Sequence, residues 1–165
     1  MEQRVSASAL PIIRRATLAD APALVELRLA FQDELGPIED EDDLQAYRRA
    51  YQHYMGEKLA SGELLIWVAE VAGQIVATGA IILIPMPPTL KNLSGLEAFV
   101  FNMYTLPAWR GQGLASRILD EIMSFVKTTG ARRVWLYATE QGEPVYAQAG
   151  FTIKRRRRPE MELVF

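Results

Sequence analysis

The sequence predicts an α/β domain, and three observations carry that prediction. Half of the 165 residues are apolar and 23% are charged, which is enough to bury a core and typical of one globular domain. Continuous apolar runs, as in buried strands, alternate with segments whose apolar residues recur at helical spacing. The order of these segments is β, α, α, β, β, β, α, β, α, β, β, which is typical of a mixed sheet covered by helices.

The first quarter of the chain predicts a tail, a strand and two helices. Residues 1–9 are small and polar, so we expect a flexible tail before a single domain over residues 10–165. A short strand at 12–15 precedes a helix at about 20–35, whose apolar residues recur at helical spacing. A second helix opens at the acidic run 39–43, because acidic side chains favour the positive end of a helix dipole.

The middle of the chain predicts three strands. Apolar runs at 64–71 and 74–84 flank Ala72-Gly73, a two-residue turn of the hairpin type. A third run at 98–106 ends at Pro107, which cannot continue a ladder. The remaining segments are a helix at about 112–128, a strand at 134–137, a helix at 143–149, and two final strands at 151–157 and 161–165.

The composition excludes several classes of chemistry. The absence of cysteine excludes a disulfide scaffold, a cysteine-ligated zinc site and cysteine catalysis. With a single histidine, we expect no metal site. The net charge of −2 argues against nucleic acid as a partner. The longest apolar stretch, 77–88, is too short and broken to span a bilayer, and no signal-peptide pattern is present, so we expect a cytoplasmic protein without a membrane partner.

The most informative stretch is 103–115, where a strand leads through a turn into an amphipathic helix. Gly111 and Gly113 allow the backbone to approach a ligand, and the first helical amides are free donors at the positive end of the dipole. Such a turn suits a phosphate or pyrophosphate, and Arg110 adds a cation. A plain strand-to-helix turn is the alternative. A nucleoside-triphosphatase loop is excluded by the missing Gly-Lys-Ser/Thr, and the dinucleotide fingerprint lacks its third glycine.

A known family shows the same combination of segments. Residues 110–115 fit the pattern Arg-x-x-Gly-x-Ala, which resembles the pyrophosphate loop of the GCN5-related N-acetyltransferase (GNAT) superfamily. The segment 146–151 resembles the family's Tyr-x-x-x-Gly-Phe, at the expected distance, and residues 13–17 resemble its opening strand. Together these segments cover nearly the whole chain.

The resemblance implies a fold and a set of ligands. The fold would be a central mixed, mostly antiparallel sheet of six to seven strands, with about four helices on both faces and a splay after the fourth strand. The co-substrate would be acetyl-CoA and the acceptor an unidentified amine. Members are often dimers, so a homodimer is one expected assembly.

The resemblance also implies roles for individual residues. The backbone of Met103, Tyr104 and Thr105 would bind the pantetheine arm, and Tyr146 would act as general acid towards the departing thiolate. Thr139 stands where the family often has an asparagine, and we expect it to contact the cofactor. The pyrophosphate would be held by the loop and the first helical residues: Arg110, Gly111, Gln112, Gly113, Leu114, Ala115 and Ser116.

The chemistry agrees with these roles. Acetyl transfer to an amine needs a neutral amine, a stabilised oxyanion and a protonated leaving group. Backbone N–H groups supply the oxyanion donors, and a phenol supplies the proton. The expected function is therefore an N-acetyltransferase that works by direct transfer in a ternary complex. The alternatives are a non-catalytic acyl-CoA-binding or interaction module, and an acyltransferase with another acyl chain or acceptor.

The general base and the acceptor site have several candidates. Glu97 has the same strand parity as Met103 and could relay the amine proton through water, or it could be a strand-end carboxylate in solvent. His53 and the tyrosines of the second helix border the expected acceptor site, with surface or core packing as the alternative. The acidic run 39–43 either caps that helix or lies at the mouth of a site for a cationic amine. Arg155–Arg158 either blunts an edge strand or contacts the cofactor phosphate or a partner chain.

Overall fold

A computed structural model describes residues 10–154 and 161–164. Its sheet has five strands in the order β1-β2-β3-β4-β5. Neighbours among the first four strands are antiparallel, and β5 runs parallel to β4, so the sheet is mixed, as predicted. The strands are β1 (Ile12–Arg15), β2 (Leu64–Val71), β3 (Gln74–Pro85), β4 (Leu96–Thr105) and β5 (Arg133–Trp135). The α-helices of the described residues are α1 (Ala21–Leu35), α2 (Glu41–Ser61), α3 (Leu114–Thr129) and α4 (Glu143–Gln148).

Helices cover both faces of the sheet, and each face has its own apolar core. Helices α1 and α2 pack on one face, where Met55 and Val68 are completely buried. Helix α3 packs on the other face through a stripe at helical spacing, which confirms the predicted amphipathic helix. That stripe consists of Leu114, Ile118, Ile122 and Val126.

The acidic run caps α2. The side chain of Asp40 accepts a hydrogen bond from the amide of Asp43 at 3.0 Å, so it satisfies one of the otherwise unpaired amides of the first turn. Glu41, Asp42 and Asp43 are exposed in the same turn. The capping interpretation is therefore confirmed.

Strand β4 contains a bulge opposite Gly79. Thr78 pairs with Tyr104 and Ala80 pairs with Phe101, so two residues of β4, Asn102 and Met103, oppose one residue of β3. Asn102 has a φ of +50°, in the left-handed region that asparagine adopts more readily than most residues. The bulge redirects the end of β4 just before the glycine loop.

The predicted count of six to seven strands is wrong for the described residues. Residues 151–154 and 161–164 form no strand, and residues 155–160 lie outside the described part of the chain. Strand β5 is also shorter than predicted, since it ends at Trp135 and Tyr137 is exposed. A strand needs a hydrogen-bonded neighbour as well as suitable residues, and the residue pattern alone does not show the neighbour.

Other predictions stay predictions. The proposed tail at 1–9 and the run Arg155–Arg158 lie outside the described residues. No helix within the described ranges is long and apolar enough to cross a membrane. In the same ranges, no group of three or more histidine, aspartate or glutamate side chains could hold a metal ion. The cytoplasmic location, the homodimer and the single domain over 10–165 are not tested by these findings.

Candidate active site

A cleft opens where β4 separates from β5. The two strands pair at only three positions, the last of which joins Phe99 to Trp135, and β4 continues without β5 to Thr105. A cavity of about 340 Å³ occupies the opening. Of the residues predicted as site residues, those lining it are Met103, Tyr104, Thr105, Arg110, Gly111, Gly113, Leu114, Ala115, Ser116, Thr139 and Tyr146.

The loop before α3 presents a row of backbone donors to this cavity. Gly111 and Gly113 have φ values of +73° and +74°, which a residue with a Cβ rarely adopts. The first amide of α3 with a backbone partner is that of Arg117, which donates to the carbonyl of Gly113 at 3.1 Å. Within the described residues, the amides of 111–116 donate to no acceptor, and no side chain caps the helix. Such a nest of amides at a helix N-terminus binds anions.

Tyr146 lines the same cleft. It extends from α4, is 9% exposed, and packs edge-on against Phe151 with 6.0 Å between the ring centroids. Burial raises the pKa of the Tyr146 phenol to about 12, because the charged phenolate would be poorly solvated there. The phenol therefore keeps its proton at neutral pH.

The turn before α4 holds Tyr146 in place. The hydroxyl and the carbonyl oxygen of Thr139 both accept from the amide of Gly142, at 3.1 and 3.0 Å. A Cβ on Gly142 would come within 3.1 Å of Cε2 of Tyr146, so the turn packs directly against the ring. Thr139 thus closes the turn with its side chain while it lines the cleft.

The comparisons with known proteins agree with this geometry. A model of the acetyltransferase (GNAT) family matches residues 23–151. The chain belongs to the GNAT family. It is an acetyl-CoA-dependent acyltransferase.

Two solved structures and one curated protein illustrate the relationship. A predicted acetyltransferase from Clostridium acetobutylicum, solved with acetyl-CoA, is 33% identical with a TM-score of 0.81, over 93% of this chain and 96% of that one. A GCN5-related N-acetyltransferase from Ralstonia eutropha shares the fold, at 23% identity and a TM-score of 0.79, over 92% of this chain and 99% of that one. The uncharacterized N-acetyltransferase YjgM of Escherichia coli is 29% identical over 86% of this chain and 81% of its own length.

In this GNAT protein the side chain of Arg110 is engaged by two protein partners. Its Nε donates to the carbonyl of Thr105 at 2.9 Å, and its Nη2 donates to both oxygens of Glu34 at 2.7 and 2.8 Å. Tyr104 also donates to Glu34, at 2.7 Å. The hydrogen bonds from Tyr104 and Arg110 hold the pKa of Glu34 below its usual range. Arg110 therefore braces the loop against α1 and β4, and the backbone amides are the donors that face the cavity unpaired.

The structure does not bring Glu97 and Gln112 to this cavity. Glu97 is the second residue of β4 and pairs with Arg133 at 2.8 Å. It precedes Met103 by six residues, which is about 20 Å along a strand. Gln112 is exposed outside the cleft, and His53 is exposed on α2, 3.6 Å from Glu57.

Sequence reasoning missed two charged residues of this region. Glu34 lines the cleft from the end of α1. Arg28 of the same helix lines a second, small cavity. Phe31 and Tyr104 line both cavities, so they form the wall between them. Neither charged residue lies in a local motif, because each meets its partners on β4 only after the chain has folded.

Proposed function

We propose that this GNAT protein transfers the acetyl group of acetyl-CoA to a primary amine, on a small molecule or on a peptide or protein, by direct transfer in a ternary complex. One observation carries the proposal. The unpaired amides of Gly111 and of residues 113–116, the end of β4 that β5 leaves open and the protonated phenol of Tyr146 all belong to residues that line one cavity. These are the anion site, the thioester support and the proton donor that the reaction needs.

The cofactor would lie along the cleft from the loop to the bulge. Its pyrophosphate accepts from the amides of Gly111 and of residues 113–116, at the positive end of α3. Its pantetheine arm is amide-bearing, and it pairs with the backbone of Met103, Tyr104 and Thr105, which β5 leaves open. Thr139 borders the arm on the other side.

The transfer step needs few protein groups. The amine nitrogen attacks the thioester carbonyl carbon, so a C–N bond forms and the carbonyl oxygen gains negative charge. A backbone N–H of the bulge at Asn102–Met103 donates to that oxygen. The C–S bond then breaks, its electron pair goes to sulfur, and the sulfur takes the proton of the Tyr146 hydroxyl. The nitrogen loses its proton to water, and solvent reprotonates the phenolate.

Burial affects the proton affinity of both the Tyr146 phenol and the departing thiolate. A free thiol has a pKa near 8.5 and a free phenol near 10, as cysteine and tyrosine show. Desolvation in the cleft raises the pKa of both groups, because both become anionic on losing a proton.

Glu97 has no step in this mechanism, since it lies at the other end of β4. The amine enters the cleft as the neutral free base.

The experiment is a thiol-release assay with acetyl-CoA and a panel of amines. We expect Tyr146→Phe to lower kcat by about 10²–10⁴-fold, because it removes the proton donor and keeps the ring. The KM for acetyl-CoA should change little. Tyr137→Phe is the matched control, since Tyr137 is 68% exposed and does not line the cleft.

Two outcomes would contradict the proposal. A kcat of Tyr146→Phe equal to that of the wild type would show that Tyr146 takes no part in the transfer step. Binding of acetyl-CoA without turnover for any amine would instead identify a non-catalytic acyl-CoA-binding module.

A further inference from the structure

A half-buried arginine of α1 reaches the bulge of β4. Nε of Arg28 donates to the hydroxyl of Tyr47 at 2.7 Å, and Nη1 donates to Oδ1 of Asn102 at 3.0 Å. Nη2 lies 3.4 Å from Oε1 of Gln32. The guanidinium carbon is 5.5 Å from the ring centroid of Phe31. Neutral side chains from α1, α2 and β4 therefore hold this cation in one position.

The charge of Arg28 has no counter-ion in the described part of the chain. No carboxylate of residues 10–154 or 161–164 lies within 4.0 Å of its nitrogens, whereas four other arginines have such a partner. Those four are Arg14, Arg48, Arg110 and Arg133. Burial raises the pKa of nearby Tyr51 to about 12, so that hydroxyl does not supply a negative charge either. A partly buried cation normally has an anionic partner.

The guanidinium also has unused donors. Arginine carries five N–H groups, and the contacts above use one on Nε, one on Nη1 and one on Nη2. One N–H is left on each Nη. Two guanidinium N–H groups on neighbouring nitrogens are the donors that a carboxylate accepts from in a bidentate pair.

A second unsatisfied polar group lies beside Arg28. Thr78 is 6% exposed, and its hydroxyl has no hydrogen-bond partner among the described residues. It lines a cavity of about 10 Å³ together with Arg28 and Asn102, which is the size of one water molecule. This cavity shares the wall of Phe31 and Tyr104 with the cleft. A ligand at its mouth would lie next to the bulge where the thioester is proposed to react.

From this arrangement we infer that the acceptor is an amino carboxylate, whose carboxylate binds Arg28 while its amine faces the bulge of β4. The inference rests on the proposed function and names the substrate class of the same site. Because Arg28 is bonded to Asn102 of the bulge itself, the carboxylate and the amine must be separated by only a few bonds. The expected acceptors are therefore α-amino acids or short ω-amino acids.

The test compares L-α-amino acids and β-alanine with their amides, which keep the amine and remove the negative charge. With acetyl-CoA, we expect the wild type to favour the acid over its amide by about 10–100-fold in kcat/KM, the range for a charge-assisted hydrogen bond. Arg28→Gln should bring that ratio close to one, and Arg28→Lys should keep part of it. Arg48→Gln, which removes an exposed ion pair between α2 and α1, is the control and should keep the full ratio.

Failure of this inference is distinguishable from failure of the proposed function. Equal kcat/KM for acids and amides in the wild type, or a preserved ratio in both Arg28 variants, overturns the inference while amine acetylation stands. If no amine is acetylated, calorimetric titration of L-alanine and alaninamide into the CoA-bound protein decides instead. Tighter binding of L-alanine that Arg28→Gln or Arg28→Lys weakens supports the carboxylate site, and equal binding overturns it.

Discussion

Gly79 shows how a single residue sets the shape of the cleft. It lies opposite the bulge of β4, with the side chains of Met103 and Ile118 packed over it. A Cβ at this position would overlap Sδ of Met103 and would lie 2.7 Å from Cγ2 of Ile118. Only a residue without a side chain allows Met103 and α3 to approach the sheet this closely, so Gly79 supports the wall of the proposed thioester site.

We expect Gly79→Ala to lower the free energy of unfolding by about 1–3 kcal/mol, since the new methyl group overpacks the core. Gly56→Ala is the control, because no atom lies within 4 Å of its added Cβ and the residue is inside α2. That control should raise the free energy of unfolding by about 0.5–1 kcal/mol. Urea denaturation measures both. Equal effects of the two changes would show that the contacts around Gly79 are not restrictive.

The start of α1 shows how an element is joined to the sheet. Arg14 of β1 donates to both oxygens of Asp20 at 2.8 Å and to Glu70 of β2 at 2.7 Å. Asp20 also accepts from the amide of Thr17 at 2.7 Å. The Arg14 guanidinium, with help from Thr17, holds the pKa of Asp20 at about 2. One carboxylate thus anchors the helix entry to the first strand.

The lowered pKa of Asp20 predicts a pH-dependent stability. Its contribution is fully present above the unfolded pKa near 4 and is lost as the pH falls towards about 2. Asp20→Asn should therefore lower the free energy of unfolding by about 2 kcal/mol at pH 7, with the difference from wild type shrinking below pH 4. Asp120→Asn, an exposed change on α3, is the control. Denaturation curves at several pH values measure the difference in the free energy of unfolding between Asp20→Asn and the wild type. A difference that stays constant down to pH 2 would contradict the role of the ionised Asp20 carboxylate.

At the scale of the whole molecule, the cleft lies between parts that are distant in the chain. Helix α1, the end of β4, the glycine loop and α4 all contribute to it. A ligand that bridges these parts binds the folded protein and not the unfolded chain, so it stabilises the fold as a whole.

We expect acetyl-CoA at about 100 times its Kd to add about 2.7 kcal/mol to the free energy of unfolding and to raise Tm by several degrees. Gly113→Glu should abolish that shift, because its carboxylate would repel the pyrophosphate from the amides. Gly73→Glu is the matched control: its φ of +82° gives the same backbone strain, in a hairpin turn away from the cleft. An undiminished shift in Gly113→Glu would contradict the loop assignment.

The local parts of this protein could be predicted from residues alone. The glycine loop and the amphipathic helix α3 follow from backbone conformation and helical spacing, which depend on near neighbours. Tyr146 was predicted from the resemblance of residues 146–151 to a segment of the family. The final strands could not be predicted in this way. Residues 151–154 and 161–164 have strand-like composition and yet form no strand, since no neighbouring strand pairs with them in the described structure.

Short motifs in the sequence identified the family, and they predicted the anion-binding loop and the proton donor, because the geometry of each motif is local. Contacts between distant parts of the chain set which charges lie in or near the cleft. The tertiary structure placed Glu97 at the far end of β4, and it brought Glu34 to Arg110 across 76 residues and Arg28 to Asn102 across 74. Such pairs arise where helices pack on a bulged strand, and no spacing of residue types along the chain encodes that contact.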